Sequence, residues 1–485
     1  MLRLALISPK GPLYRHRGGI FRKSLRYGPL TLPTLVSLIP PEIESSVTLM
    51  DEGIRDVDPS LDVDLVGITT ITGNAPRAYE LAAAFRGRGV PVVLGGPHPT
   101  LVPDDAQPHA DAVVVGYAEE TWPQLLRDFV RGGMKPRYIQ RPDLSLDNLP
   151  FVDRTLHPKG AYLTTHVFEA TRGCIHKCDF CVVPSAWGRK PYQKPIDYVV
   201  EDIRRVGAKK LLLIDLNLIA DTEYAARLFE ALIPLRVKWF GLSTTLLVDD
   251  KPLLELCARS GCKGLLMGLE SISPDNLRES RKAFNHPDEY CGLVAELHRV
   301  GIALQGCFVF GLDHDKPDIF LKTAKLAVKA KIDLPRYAIV TPFPGTALYQ
   351  RLEREGRIRT RNWELYDGQH VVFEPARMSA EQLMRGTEAA WKYTYSFGSI
   401  ARRIAGTPAP WPIVIGANLG YRFYAHNLHK FYNCDWIIGR DESVRSVDAA
   451  SRVEFADSAP APRELVSLGR AAQAGAGEWT QPAER

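Results

Sequence analysis

Two trains of short β-branched runs, each run followed by a stretch of helical period, constrain the fold of this chain more than any other feature. In the first train, LALIS at 4–8, VTLM at 47–50, DLVGITT at 64–70, VPVVLGG at 90–96 and DAVVVG at 111–116 are apolar at consecutive positions. Strands buried on both faces of a parallel sheet read this way. RAYELAAAFRGRG (77–89) and EETWPQLLRDFV (119–130) place apolar residues every three to four positions, which predicts helices. The expected architecture is α/β, a doubly wound Rossmann-like sheet, and such sheets bind ligands where their strands end. Those ends carry Thr69, Thr70, Thr72 and Gly73, then Gly95, Gly96 and His98, then Gly116.

The second train runs HVFEAT (166–171), KKLLLID (209–215), VKWFGLS (237–243), KGLLMGLE (263–270), ALQGCFVFG (303–311) and RYAIVTP (336–342), with helical patterns between. Six strand-helix units predict a partial TIM-like barrel with its chemistry on the loops at the C-terminal strand ends. Between the trains, the segment around 135–165 loses periodicity and gains proline and aspartate, as a linker does. Beyond about 360 the chain turns aromatic, basic and helical in pattern, and its last residues are low in apolar content. The expected division is 1–138, a linker 139–165, a barrel 166–360, a mainly helical region 361–450 and a disordered tail 451–485.

A formal charge of +5 over 485 residues is small and is not gathered into one tract, so charge alone gives no reason to expect nucleic acid or a membrane as partner. The first apolar run is too short for a secretory signal. No stretch reaches the roughly 20 apolar residues of a spanning helix; the nearest, WPIVIGANLGYRF at 411–423, is short and broken by glycines. The expectation is a cytoplasmic protein without an integral membrane segment.

Three of the eight cysteines, Cys174, Cys178 and Cys181, fall within the single segment TRGCIHKCDFC. Few and clustered cysteines point to reduced thiols serving a metal rather than to disulfides. An iron-sulfur cube takes thiolates as ligands, and three local thiolates leave one of its four irons open. The alternative is a structural zinc site completed by His176 or a remote cysteine, although its usual paired Cys-x2-Cys knuckles are missing.

With Phe180 directly before the third cysteine and the triad just after the first barrel strand, this segment resembles the cluster loop of radical S-adenosylmethionine (SAM) enzymes. A Rossmann-like domain ahead of such a barrel, with GGPHPT at 95–100 and TPFPGTALY at 341–349, resembles the cobalamin-binding branch of that family. That branch includes hopanoid methylases and anaerobic magnesium-protoporphyrin cyclase-like proteins.

The resemblance implies a 4Fe-4S cluster on the three cysteines, with SAM on the open iron. SAM contacts are implied at Phe180, at Glu270 in MGLES and at Gly311 in FVFGLD. Asp215 and Asn217, in LLLIDLNLIAD where many members carry Gly-Gly-Glu, are further candidates. Cobalamin is implied at Thr69, Thr70, Thr72, Gly73, Gly95, Gly96, His98 and Gly116. The chain departs from the family where Gly116-Tyr117-Ala118-Glu119 replaces a frequent Gly-Glu-Gly-Glu. It departs again in YRHRGG, where Tyr14 stands in place of the aspartate that accompanies an axial histidine. His16 then reads as a loop residue, and cobalamin is expected without a histidine ligand.

The implied chemistry is reductive cleavage of SAM to a 5′-deoxyadenosyl radical, hydrogen abstraction from an unactivated substrate carbon, and methyl delivery from cobalamin. The implied partners are a small-molecule, lipid or tetrapyrrole substrate and an electron donor such as flavodoxin or ferredoxin. The rivals are a cobalamin-dependent cyclase or rearrangement enzyme and a non-catalytic metal-binding scaffold. A methylthiotransferase acting on RNA would need a second cysteine triad, and residues 1–173 contain no cysteine.

Overall fold

A computed structural model describes residues 1–11 and 27–428 together with the backbone of 466–467. In the N-terminal part, β1 (Leu2–Ser8), β2 (Ser45–Asp51), β3 (Leu65–Thr69), β4 (Val92–Gly95), β5 (Ala112–Val115) and β6 (Arg137–Ile139) form a parallel sheet in the order β2-β1-β3-β4-β5-β6. The continuous apolar runs have a direct cause in this arrangement. Leu4 and Leu6 of β1 pack with Trp122 and Leu125 on one face, while Ala5 and Ile7 pack with Leu81 and Phe85 on the other. Each fully buried large side chain contributes about 2 kcal/mol. The strand order reverses between β1 and β3, which is where a doubly wound sheet opens its ligand crevice.

The second sheet is built from β7 (Val167–Phe168), β10 (Lys210–Leu213), β11 (Lys238–Ser243), β12 (Cys262–Glu270), β13 (Ala303–Phe310) and β14 (Arg336–Ile339). All are parallel and lie in chain order, and β7 and β14 are not paired, so the barrel is open. A two-stranded ribbon, β8 (Thr171–Arg172) with β9 (Tyr192–Gln193), follows β7. The barrel strands alternate in burial. In β13, Leu304, Phe308 and Phe310 are buried against the helices while Gln305, Cys307 and Val309 are half-buried toward the inside. Leu212, Phe240, Leu242 and Leu266 repeat that half-buried state on neighbouring strands, leaving a partly open, largely apolar interior.

Between the sheets, residues 140–166 hold only the short turn Arg154–Leu156. Arg154 fastens this stretch to the barrel: its guanidinium donates to both carboxylate oxygens of Asp202 at 2.9 and 2.7 Å and to the Val167 carbonyl at 2.9 Å. Removing one partner of such a buried pair costs about 3–5 kcal/mol.

After the barrel, helices occupy Ala380–Thr394, Phe397–Ile404 and Trp411–His426. This is the mainly helical C-terminal region expected from the sequence. Residues 361–379 hold no α-helix; they return instead to the first sheet, where the Trp363–Leu365 turn packs on Thr72–Asn74. A two-residue strand, β15 (Val466–Ser467), pairs antiparallel with β2. The rest of the tail beyond 428, and the YRHRGG segment with His16, lie outside the described residues.

Candidate cofactor sites at the facing strand ends

The cysteine loop leaves β8 through Gly173, whose φ of +86° and closeness to the Lys190 carbonyl, 2.8 Å from where a Cβ would sit, admit no side chain. From there Cys174, Cys178 and Cys181 follow on one exposed turn, all three half-buried and none in a disulfide. Other barrel loops fix this turn. The Asp179 backbone N–H donates to the Ser280 carbonyl at 3.4 Å, and the Asp179 carbonyl accepts from the Leu348 N–H at 3.0 Å. Leu348 belongs to the TPFPGTALY segment, whose Thr346 caps the Ala347–Arg354 helix. Asn217, after β10, points its side-chain N–H at the Cys174 sulfur, 3.9 Å away.

Burial pushes the Cys178 thiol up to about 12 against the pull of nearby Lys282, and raises Cys181 as well. Among the described residues no three His, Cys, Asp or Glu side chains converge as they would around a single ion. The His176 ring lies against Phe284 with centroids 4.6 Å apart. Three thiols presented from one loop suit a cube that takes one thiolate per iron.

Glu270 ends β12 at φ +63°, beyond a register shift against β13. A non-glycine residue held there is strained and marks a site the surroundings enforce. The enforcing groups are Asn285, which donates to the carbonyls of Gly268 and Leu269 at 2.9 and 3.0 Å, and Tyr290, whose hydroxyl donates to Leu269 at 2.7 Å. The Glu270 carboxylate is buried and paired with the Lys282 ammonium, which also donates to the Gly268 carbonyl at 3.0 Å. This ion pair lies within the electrostatic reach of Cys178 and Cys181. Lys282, Asn285 and Tyr290 were not singled out from the sequence; the basic RKAFNH segment shortly after MGLES was the available signal.

Asp215 has a structural partner set on one carboxylate oxygen, while its Oδ2 is buried without a partner. It is buried and its Oδ1 accepts from the Ala170 N–H at 3.0 Å, the Thr171 N–H and the Thr171 hydroxyl at 2.9 Å, so it anchors the chain entering the cysteine loop. Burial, reinforced by Glu169, raises its carboxyl to about 6. Gly311 has φ +98°, but its Cα is covered by Leu383 and Phe373 and its N–H donates to Asp315 at 2.9 Å. That leaves little of it open to a ligand. Phe180 is half-buried against the barrel core.

At the first sheet's strand ends, Thr69, Gly95, Gly96 and Gly116 are half-exposed. Gly96 has φ +98°, and a Cβ there would sit 2.9 Å from the Thr70 backbone; Gly116 has φ +92°, with Gln140 2.6 Å from its Cβ position. Thr70 Oγ1 is buried without a partner. An edge of open backbone and an unspent hydroxyl fit a broad ligand with polar arms, as cobalamin is. Thr72, Gly73 and His98 are corrected: all three are buried beneath the returning 361–370 segment. The His98 ring nitrogens are occupied by Thr72 at 3.3 Å and by Tyr79 and Asp105 at 3.1 Å, with Trp363 at its edge, so its imidazole is not available to a ligand.

Both sets of strand ends meet. The Pro97–Leu101 helix packs on the Val182–Trp187 helix of the cysteine loop. Tyr117 stacks on Trp187, and the Arg172 guanidinium sits 4.8 Å over the Tyr117 ring. Arg172 pairs with Glu119 across the two domains and with Glu169 at 2.7 Å, and Lys194 joins Glu169 at 3.2 Å.

The B12 binding domain family matches residues 43–126, and the Radical SAM superfamily matches residues 168–327. The chain is 32% identical over 383 residues to the bacteriochlorophyllide d C-12(1)-methyltransferase of Chlorobaculum tepidum, covering 75% of this chain and 82% of that one. It is 31% identical over 371 residues to the bacteriochlorophyllide d C-8(2)-methyltransferase of the same organism, covering 72% and 81%. The fold matches that of the radical SAM methyltransferase TsrM from Kitasatospora setae with cobalamin and a 4Fe-4S cluster bound. The TM-score is 0.61 at 17% identity, over 88% of this chain and 98% of that one.

Proposed function

The chain belongs to the cobalamin-dependent radical SAM methyltransferases, and from that premise we propose that it methylates an unactivated carbon on the periphery of a tetrapyrrole. It is an enzyme of the 4Fe-4S cluster, SAM and cobalamin. When bound, the cluster would supply an electron to one SAM, and cobalamin would carry to the substrate radical a methyl group taken from a second SAM. The observation that carries the proposal is the lock between the loop after β5 and the cysteine loop, made by Tyr117, Glu119, Arg172 and Trp187. It holds the strand ends that would take cobalamin against the loop that would take the cluster.

In this reading Cys174, Cys178 and Cys181 hold the cluster and Asn217 orients the first of these sulfurs. Glu270, held by Lys282 in a buried pair beside the thiols, contacts the amino or ribose groups of SAM, and Phe180 bounds the same space. Thr69, Gly95, Gly96 and Gly116 line the cobalamin, with Thr70 turning its free hydroxyl to it. The domain limits 1–138, 139–165 and 166–360 describe these working units. Hydrogen-atom abstraction asks for no side-chain base, so the protein's task is to position groups and exclude water. The half-buried apolar interior formed by Leu212, Phe240, Leu242, Leu266 and Val309 suits a flat, hydrophobic substrate, and the likeness to two bacteriochlorophyllide methyltransferases supports a tetrapyrrole. A flavodoxin or ferredoxin would supply the electron.

The test is turnover of anaerobically reconstituted protein with SAM labelled in its methyl group and a panel of chlorin and porphyrin substrates. Label in a tetrapyrrole product supports the proposal. Label confined to methionine contradicts it.

A further inference from the structure

The Trp411–His426 helix carries no charged residue on its outward half. Its inward side is firmly fastened: Val414, Asn418 and Ala425 are buried, and Asn418 accepts from the Arg403 guanidinium at 2.7 Å. Arg403, fully buried on the preceding Phe397–Ile404 helix, donates to the carbonyls of Ile332 and Asp333 at 3.0 and 2.8 Å. The outward side presents Trp411 (57% exposed), Ile413 (62%), Ile415 and Leu419, with Gly416 and Gly420 between, and Phe397 (65%) stands beside it. A helix on the surface of a globular protein puts polar residues outward, and one apolar on both sides needs a second apolar environment. Sixteen residues are too few to span a bilayer, and no helix among the described residues is long and apolar enough to cross one.

Charge names the environment. From Ala389 to Cys434 the sequence contains no Asp or Glu; of the cations there, Lys392 is paired with Glu388 and Arg403 is buried, which leaves Arg402 and Arg422 at the surface. The whole-chain balance hides this local excess. Arg402 is exposed, and Arg422 lies 3.9 Å over the Phe397 ring at the margin of the apolar face. Neither has a carboxylate partner among the described residues. Apolar residues with tryptophan, edged by unpaired arginines, match a surface of acyl chains beneath anionic headgroups. A two-fold contact with a second copy would instead set these arginines near one another with no acid to answer them.

We propose that the Phe397–Ile404 and Trp411–His426 helices form a docking face that seats the enzyme on an anionic lipid bilayer. The face lies at the barrel end opposite the cysteine loop, since Tyr421 receives a hydrogen bond at 3.0 Å from Gln305 near the start of β13 and Arg403 grips the chain ahead of β14. Docking therefore leaves the strand ends that carry the chemistry pointing away from the lipid.

The test is co-sedimentation of the full-length reconstituted protein with vesicles of equal parts phosphatidylglycerol and phosphatidylcholine, against phosphatidylcholine alone. The expected result is binding to the anionic vesicles, weakening with salt. The exposed substitutions Ile413→Asp and Arg402→Glu should each weaken it by about tenfold with iron and cobalt content and melting temperature unchanged. No binding to anionic vesicles overturns the proposal, as does binding equally strong to neutral vesicles or indifferent to both substitutions. A dimer in sedimentation equilibrium that Ile413→Asp dissociates, with no uptake by vesicles, overturns it in favour of a second copy.

Discussion

The ring of Tyr117 lies flat on that of Trp187, centroids 5.3 Å apart and planes within 5°, joining the loop after β5 to the helix that closes the cysteine loop. Tyr117 is also one of two residues, with Ala118, at which the chain departs from the Gly-Glu-Gly-Glu pattern it resembles. The departure is a structural part: with Arg172 over the same ring and Glu119 two residues on, it makes one contact surface between the two halves of the enzyme.

Arg172 is the centre of that contact, and its loss should cost more than the loss of Glu119. Arg172→Ala leaves the buried Glu119 without its cation and leaves Glu169 to Lys194 alone, a cost of about 3–5 kcal/mol. Glu119→Ala leaves Arg172 still paired with Glu169 and should cost about 1–3 kcal/mol. Urea denaturation of the two variants checks the order; equal losses would count against the network.

Asp215 makes part of the stability depend on pH. Its carboxyl is raised from an ordinary 3.8 to about 6, burial being the main cause, so the folded state holds its proton more tightly than the unfolded chain. The contribution is complete below about pH 4 and is lost as pH rises through about 6, on the order of 3 kcal/mol in all. Asp215→Asn keeps an acceptor for Ala170 and Thr171 and should flatten the stability profile across that window. An unchanged profile in the variant would show that other groups carry the dependence.

The strained backbone at Glu270 separates conformation from side-chain function. With the carboxylate removed either way, Glu270→Gly should be more stable than Glu270→Ala by about 1 kcal/mol, because only glycine enters φ +63° without steric penalty. Both variants should retain iron and raise the KM for SAM. An alanine variant as stable as the glycine variant would mean the loop relaxes.

The three strand-end glycines should respond unequally. A methyl at Gly95 meets only ordinary contacts, the nearest at 3.6 Å, whereas Gly96 and Gly116 have positive φ and neighbours within 3 Å of the Cβ position. Gly96→Ala and Gly116→Ala should each cost about 1–3 kcal/mol and reduce bound cobalt, with Gly95→Ala close to wild type. Thermal melts and cobalt analysis of the three variants decide this.

The strands were readable because β1 and its neighbours are buried on both faces, which writes an unbroken apolar run into the sequence. The cysteine loop was readable because its spacing is local. What could not be read depends on distant partners. The anchoring bonds of Asp215 to Ala170 and Thr171, 45 and 44 residues away, leave no local trace. The same holds for Glu270 and Lys282, and for His98, whose burial comes from a segment more than two hundred residues later. The 411–423 run read as a span too short and broken for a membrane; periodicity alone did not reveal that one side is bolted to the barrel and the other bare.

The central claim is that one loop of three cysteines holds a four-iron cluster beside an independently held cobalamin. Its most direct test is iron and cobalt analysis on the same anaerobically reconstituted samples of wild type and the Cys174→Ala, Cys178→Ala, Cys181→Ala triple variant. Wild type should hold about four irons and about one cobalt per chain, and the triple variant should lose the iron while keeping the cobalt. Iron retained in the triple variant, or cobalt absent from wild type, would contradict the account.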